Sequence, residues 1–493
     1  MKEVTSLREF RQDTEFEMLG QFVYAGGSIN DGLSGKIIFK KDKRADRLEL
    51  EIYGELVDPQ VENDSLEDFN KYHKIIGFTN NGFTVIIERA VKRKSLQNFP
   101  GIPYTRYNLG RCLFLNINYD RSFDKVSNEL SDIGIDNMVA LNCQYSFSGI
   151  DEWIDKSKVI YTRKDRVCKY EVALNKVKEE NYLVEEENLK FSSGIEIKTF
   201  NKGFTEEYYW SLESIKGEEL SVKSIVDNLN IFKELLEIVI TVPIDFSYFK
   251  LRIPIKQMDD NIVTGYLVSS RLNIGNYRKS NTDIPYTKIE ENFESILCNW
   301  YKKRTKLTLI TQNFIINKYA HQYNQSVLLN SIKSLEMYHR NFIQEKETQK
   351  NENLEIDKNI LLNFIENNIE NKKHKDRFIE NVNYNPEISL KKRIKALFDK
   401  LDNDIKNMLV KNKKGSTRRN IDKLAQKLAN TRNYYTHGDP DTDSSFIIKE
   451  PIEIIETTLL LNQVIKYFVC KELFELDDEI IDIIIKGMSG VIK

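Results

Sequence analysis

At 493 residues the chain exceeds one ordinary domain; its length corresponds to about two to four. Apolar residues make up 40%, with 26 Phe and 24 Tyr, which is enough for packed cores and excludes wholesale disorder. Lys plus Arg (73) almost balance Asp plus Glu (75), so nucleic-acid binding through the overall field is excluded and any such affinity needs a local basic surface.

The opening MKEVTSLREF lacks the apolar core of a secretory signal. Up to about Ile274 the chain reads as strands. GLSGKIIFKK, RLELEIYGEL, HKIIGFTNNGFTVIIERA and GRCLFLNINYD are short, rich in Ile, Phe, Val and Tyr, and punctuated by Gly and Asn. In the third, Asn80, Asn81 and Gly82 sit between two apolar runs, where Asn-Gly supplies the positive φ angles of a tight hairpin turn. VALNCQYSFS, KFSSGIEIKTF, KGFTEEYYWSLES and NIVTGYLVSSRL are further strands, and SIVDNLNIFKELLEIVI has helical spacing. Residues 1–285 are therefore expected to be β-rich, sandwich-like or a pair of small sheets. GNYRKSNTDIPY (275–286) reads as a polar connection.

From about Asn292 the period becomes helical. QSVLLNSIKSLEMYHRNFI aligns Leu328, Ile332, Leu335, Tyr338 and Phe342, and DKNILLNFIENNIE continues the pattern. SLKKRIKALFDKLDNDIKNMLV reads as one helix capped by Ser389, RRNIDKLAQKLANTRNYYTH as another, and PIEIIETTLLLNQVIKYFVCKELFEL as a third opened by Pro451. Residues 292–493 thus form an all-α bundle, making the chain a multidomain α+β protein. The most apolar stretch, IEIIETTLLLNQVIKYFV, carries two Glu and a Lys and does not read as a membrane span. Cys112, Cys143, Cys168, Cys298 and Cys470 show no CxxC spacing, which points to reduced thiols in the cytoplasm rather than a zinc site.

TRNYYTHGDP (431–440) ends a helix whose buried stripe is Ile421, Leu424, Ala425 and Leu428. Gly438 takes the left-handed conformation that stops helices, and Pro440 cannot extend one. Asn433 and His437, four apart, share a face. Arg432 and His437, five apart, lie about 140° round an ideal helix. One regular helix would not aim both at a single point, whereas two copies about a twofold axis would make a composite cleft. Arg, a polar amide and His suit RNA cleavage by the 2′-hydroxyl: a base takes its proton, an acid protonates the leaving 5′-oxygen, and a cation stabilises the phosphorane-like charge. The plainer reading is a surface or capping His in a chance R-x4-H. Upstream, KNKKGSTRR places Lys411, Lys413, Lys414, Arg418 and Arg419 before the same helix, an RNA-binding footprint or a solvated loop. No phosphate-cradling loop is present, so a nucleotide-driven switch inside the chain is not expected, and the RNA-cleavage chemistry above needs no cofactor.

TRNYYTH resembles the R-x4–6-H signature of HEPN domains, with the polar Asn433 after the Arg. SIKSLEMYHRNF resembles the first helix of the ApeA-like branch. GQFVYAGGSINDGLSGKIIFKK…RLELEIYGEL, IIGFTNNGFTVIIERA and YSFSGIDEWID are similar in order and spacing to the ApeA N-terminal domain. The resemblance implies a metal-independent HEPN endoribonuclease of bacterial antiphage defence, acting by abortive infection on tRNA or other structured RNA and leaving 2′,3′-cyclic phosphate ends. It implies a homodimer through the helical domain, and a phage-derived trigger or protein ligand at the β-rich one. Arg432 and His437 match the motif, Asn433 the accessory polar position, and Glu336 the acidic position of the first helix, with pairing to Arg340 as its alternative role. His339, Tyr434 and Tyr435 are expected beside the site, the tyrosines either stacking on a base or packing in the core. Two other readings compete. One is a non-catalytic HEPN protein that binds RNA or a partner. The other is a carbohydrate- or peptide-binding β protein using Trp153, Trp210 and Trp300.

Overall fold

The computed structural model describes residues 2–3, 14–40, 48–56, 72–96, 101, 103–117, 133–154, 159–164, 169–174, 179–200, 203–240, 243–255, 262–269, 283–319, 324–344, 352–383, 388–410, 416–438 and 444–489. The chain divides into two compact units. Met1–Glu237, Val242–Lys279 and Pro285–Cys298 form the first; Ile238–Thr241, Ser280–Ile284 and Asn299–Lys493 form the second. The β-rich first half and helical second half expected from the sequence are both present. Of the polar connection 275–286, only Asp283–Tyr286 are among the described residues.

In the first unit, strands β1 (Phe16–Tyr24), β2 (Leu33–Phe39), β3 (Leu48–Tyr53), β4 (His73–Thr79), β5 (Thr84–Leu96) and β6 (Tyr104–Asn108) pair antiparallel. Their order, β1-β2-β3-β6-β5-β4 and back to β1, closes a barrel and removes the edges that an open sheet would expose. Alternation along the strands turns Phe16, Met18, Phe22, Leu50, Ile52 and Val85 into its core. The Asn80–Gly82 turn is a four-residue loop in which Gly82 alone of the three takes positive φ (82°). The Thr79 N–H donates to the Phe83 carbonyl at 2.9 Å and closes it.

The long strand β5 leaves the barrel. Thr84–Glu88 pair with β7 (Arg111–Leu115) and Val91–Leu96 with β6, and Arg89, at φ 58°, stands where the partner changes. Strands β8 (Asn142–Phe147), β9 (Glu180–Val184), β10 (Leu189–Phe200), β11 (Gly203–Ser214), β12 (Phe246–Pro254) and β13 (Ile262–Ser269) continue the sheet in the order β7-β13-β12-β8-β11-β10-β9. Most strands of this β-rich half belong to one sheet that is closed at one end and open at the other, and Val159–Lys164 with Lys169–Leu174 and Val139–Ala140 with Leu220–Ser221 form two further small pairs. Helix α1 (Val222–Ile240) packs on the open part through Phe232, whose ring lies 4.9 Å from Trp210, 5.1 Å from Phe191 and 5.9 Å from Tyr145.

The second unit contains α2 from Asn299 onward (helix Phe293–Tyr319), α3 (Gln325–Tyr338, continuing as a π turn to Gln344), α4 (Glu352–Asn368), α5 (Lys372–Asn383), α6 (Leu390–Asp399), α7 (Asn403–Leu409), α8 (Thr417–His437), α9 (Pro451–Leu473) and α10 (Asp478–Ser489). The run 389–410, expected as one helix, is two. Asp402 breaks it by capping α7, its carboxylate accepting the Asp404 N–H at 2.9 Å. Helix α9 is buried nearly all round and forms the axis of the unit. Two polar bonds fix its register on α3: Ser331 Oγ to Asn462 Oδ1 at 3.0 Å, and Tyr338 Oη to Glu472 Oε1 at 2.7 Å. Among the described residues no helix is long and apolar enough to cross a membrane.

Phe232 joins α1 to three strands, so Phe232→Ala is expected to cost about 3–5 kcal/mol of stability. Urea denaturation of the two proteins measures this directly.

Candidate active site

Helix α8 carries the motif. Its buried side is Ile421, Ala425, Leu428, Ala429 and Thr431. Leu424, expected on that stripe, is only partly covered. The helix stays α to its end, the Gly438 N–H donating to the Tyr434 carbonyl at 2.9 Å, and stops because Gly438 turns to φ 66°. Pro440 lies outside the described residues.

At this end Arg432 Nη1 is 3.2 Å from Asn433 Oδ1 and 3.4 Å from His437 Nε2. The two side chains thus meet on one helix, although their positions lie about 140° apart round an ideal one. The arginine stem and fork bridge the angle between the two positions without any distortion of the backbone. A guanidinium has donors only, so the Asn433 carbonyl and the imidazole nitrogen both serve as its acceptors in this arrangement. Asn433 and His437 are exposed and Arg432 is partly so, leaving the cluster open to a large substrate.

Of the residues that hold this turn, only Tyr435 is among those expected from the sequence. Thr431 Oγ1 donates to the Lys427 carbonyl at 2.7 Å and accepts the Ile448 N–H at 2.9 Å. Tyr435 Oη donates to the Ile448 carbonyl at 3.2 Å. Ile447 and Ile448 are buried, so the chain after the helix is anchored and clamps the residues on either side of Arg432–Tyr434. Lys449 Nζ lies 4.4 Å from the centre of the Tyr434 ring, which packs edge-on to Tyr435. Thr431 and Ile448 carry no signal in the sequence, because a threonine on an apolar stripe and an isoleucine in a short loop are both ordinary.

Arg418 and Arg419 are exposed on the first turn of α8, whereas Lys411, Lys413 and Lys414 lie outside the described residues. The structure adds two cations to this face. Lys391 and Lys395 of α6 reach Asp422 at 3.2 and 3.5 Å, and the hydrogen bond from Lys391 leads the effects holding that carboxyl below its usual range. Their i, i+4 spacing in SLKKRIKALF is the available signal.

Glu336 pairs with Arg340 at 2.9 Å, the alternative role weighed for it, and makes no hydrogen bond to Arg432 or His437 among the described residues. His339 is 1% exposed at the start of the π turn. Burial pushes its pKa down to about 4, assisted by the charges of Arg393, Lys400 and Arg340. Trp153, Trp210 and Trp300 are all buried, so they offer no surface for a sugar or peptide, and that reading is set aside. Among the described residues no three His, Cys, Asp or Glu side chains are grouped to hold a metal ion.

Two family models match: ApeA N-terminal domain 1 over residues 17–300 and Apea-like HEPN over residues 329–479. The chain belongs to the family of the ApeA N-terminal domain 1, and its helical half matches the Apea-like HEPN model. That places it in a family of antiphage defence, and HEPN domains in general are ribonucleases. The HEPN match spans α3 through the start of α10 and so includes both motif residues. Neither a curated protein nor a solved structure matches the chain.

The buried His339 yields a pH dependence. Above the ordinary value of 6.5 the ring is neutral folded and unfolded. As pH falls towards about 4 the unfolded chain takes up a proton that the folded one excludes. Stability therefore drops over that window by up to about 3 kcal/mol and levels off below it. Urea titrations across the window, with His339→Gln as comparison, should show this slope in the wild type and lose it in the variant.

Proposed function

We propose that the chain is an endoribonuclease whose site is Arg432, Asn433 and His437, cutting RNA through its own 2′-hydroxyl. The observation that supports this is the 3.4 Å approach of a guanidinium and an imidazole at an open helix end. Arg432 turns from His437 to the non-bridging oxygens of the scissile phosphate, while Asn433 retains one edge of the fork. This frees His437 Nε2 to take the 2′-OH proton. The 2′-oxygen bonds to phosphorus, the bond from phosphorus to the 5′-oxygen breaks, and that oxygen leaves with a proton from solvent or from a second His437. The products are a 2′,3′-cyclic phosphate and a 5′-hydroxyl, and no step calls for a metal. Positioned acid–base groups of this kind contribute roughly 10²–10⁴-fold.

Arg418, Arg419, Lys391 and Lys395 supply a basic face for a structured RNA such as tRNA, with sequence-independent affinity that weakens in salt. The HEPN unit works as a homodimer, and the β-rich unit restrains the nuclease until a phage-derived trigger binds, since an unrestrained ribonuclease would poison its host. Light scattering checks the dimer; equal toxicity of residues 292–493 and the whole chain would remove the restraint.

The deciding experiment is cleavage of total bacterial RNA in EDTA, with phage-infected extract added in parallel. Cyclic phosphate ends made by the wild type and lost in His437→Ala and Arg432→Ala are expected. Equal cutting by all three proteins would refute the assignment. RNA binding without cutting under either condition would favour a non-catalytic HEPN protein.

A further inference from the structure

We propose that a cavity in the helical unit binds a small amphipathic anion, an apolar aromatic or acyl body bearing one carboxylate, sulfonate or phosphate, and passes its occupancy to Arg432 and His437. The transmission rests on the function proposed above; the binding site does not.

The cavity has a volume of about 410 Å³, within the range of small-molecule sites. Its apolar wall is Leu424 of α8, Phe446 of the turn before α9, and Leu460 and Leu461 of α9. Two of these are poorly covered by the protein itself. Leu424 sits on the helix's apolar stripe yet is only half-buried, and Phe446 is 43% exposed. Covering them with an apolar ligand takes apolar surface out of water, which is favourable.

The polar wall sets the charge of the occupant. Lys423, Lys427 and Glu453 line the cavity. Lys427 is neutralised by an ion pair with Glu453, whereas Lys423, one turn earlier on α8, is exposed and makes no ion pair among the described residues. A partly open cavity with an apolar wall, and beside it an ammonium that makes no ion pair among the described residues, suits an apolar body with a single negative charge. A cation or a neutral polar molecule would forgo one half of the site.

The cavity is also tied to the motif. Phe446 is two residues before Ile448, whose N–H and carbonyl are held by Thr431 and Tyr435. The same Thr431 hydroxyl donates to the carbonyl of Lys427, a lining residue. A ligand that displaces Phe446 therefore pulls on the two residues that bracket the Arg432 turn. This is a contiguous, hydrogen-bonded route of the kind that couples sites.

The test uses the full chain and 8-anilinonaphthalene-1-sulfonate, a flat apolar body with one sulfonate. Saturable fluorescence is expected, weakened at least tenfold by Lys423→Glu, retained in Lys423→Arg, and abolished by Leu424→Trp, which fills the cavity. Thermal unfolding of each variant verifies that it is folded, and Lys423→Glu changes an exposed residue only. Dye affinity unchanged in both Lys423→Glu and Leu424→Trp would overturn the site. For the transmission, labelling of His437 by diethyl pyrocarbonate is followed by peptide mass. Saturating dye should change the His437 rate severalfold in the wild type and leave it unchanged in Leu424→Trp. An unaltered wild-type rate at saturation would overturn the coupling. Neither measurement needs ribonuclease activity, so each is judged apart from the catalytic assignment.

Discussion

The backbone of Ile448 is the point on which the candidate site depends. Its N–H and carbonyl are bound by Thr431 and Tyr435, one residue before Arg432 and three after it. A helix end normally frays, because its last carbonyls lack partners. Here the last full turn is fastened from outside by a buried segment, and Gly438 then stops it abruptly. The functional groups gain from this a fixed backbone and keep open side chains. Arg432 and His437 are close enough to exchange a hydrogen bond while remaining accessible, the combination that a site for a macromolecular substrate requires.

Charge is arranged locally rather than globally. The chain as a whole is close to neutral. Arg418 and Arg419 nevertheless stand exposed on the turn that opens α8, and Lys391 and Lys395 flank them through Asp422. Buried charge is treated differently. Arg393, 1% exposed, is hydrogen-bonded to the Ile388 carbonyl and Gln344, and its field helps keep His339 neutral. The π turn that carries His339 therefore belongs to the scaffold of the unit, not to its chemistry.

The β-to-α switch near residue 292 is legible in the amino-acid sequence from periodicity alone, and the end of α8 from Gly438, because both depend on local backbone preference. The closed barrel is not legible there. Closure depends on β1 pairing with β4 and on β5 changing partners at Arg89, long-range events that leave no mark on strand alternation. The break at Asp402 is hidden because Leu401 and Ile405 continue the apolar pattern across it. Within the candidate site, the motif residues stand out in the sequence but the meeting of Arg432 and His437 does not. Angular spacing on a helix describes Cα positions, and the length of an arginine side chain overrides it. The clamp at Ile448 is out of reach for another reason: backbone groups have the same chemistry at every residue, so only the fold selects which are used.

The central claim is that Arg432 and His437 of a single chain make one site. Mixing Arg432→Ala and His437→Ala chains, unfolding and refolding them together so that mixed dimers form, and measuring RNA cleavage tests this directly. A site built within one chain predicts that the mixture stays as inactive as either variant alone. Recovery of cleavage in the mixture would mean that the arginine of one copy works with the histidine of the other, and would contradict the account.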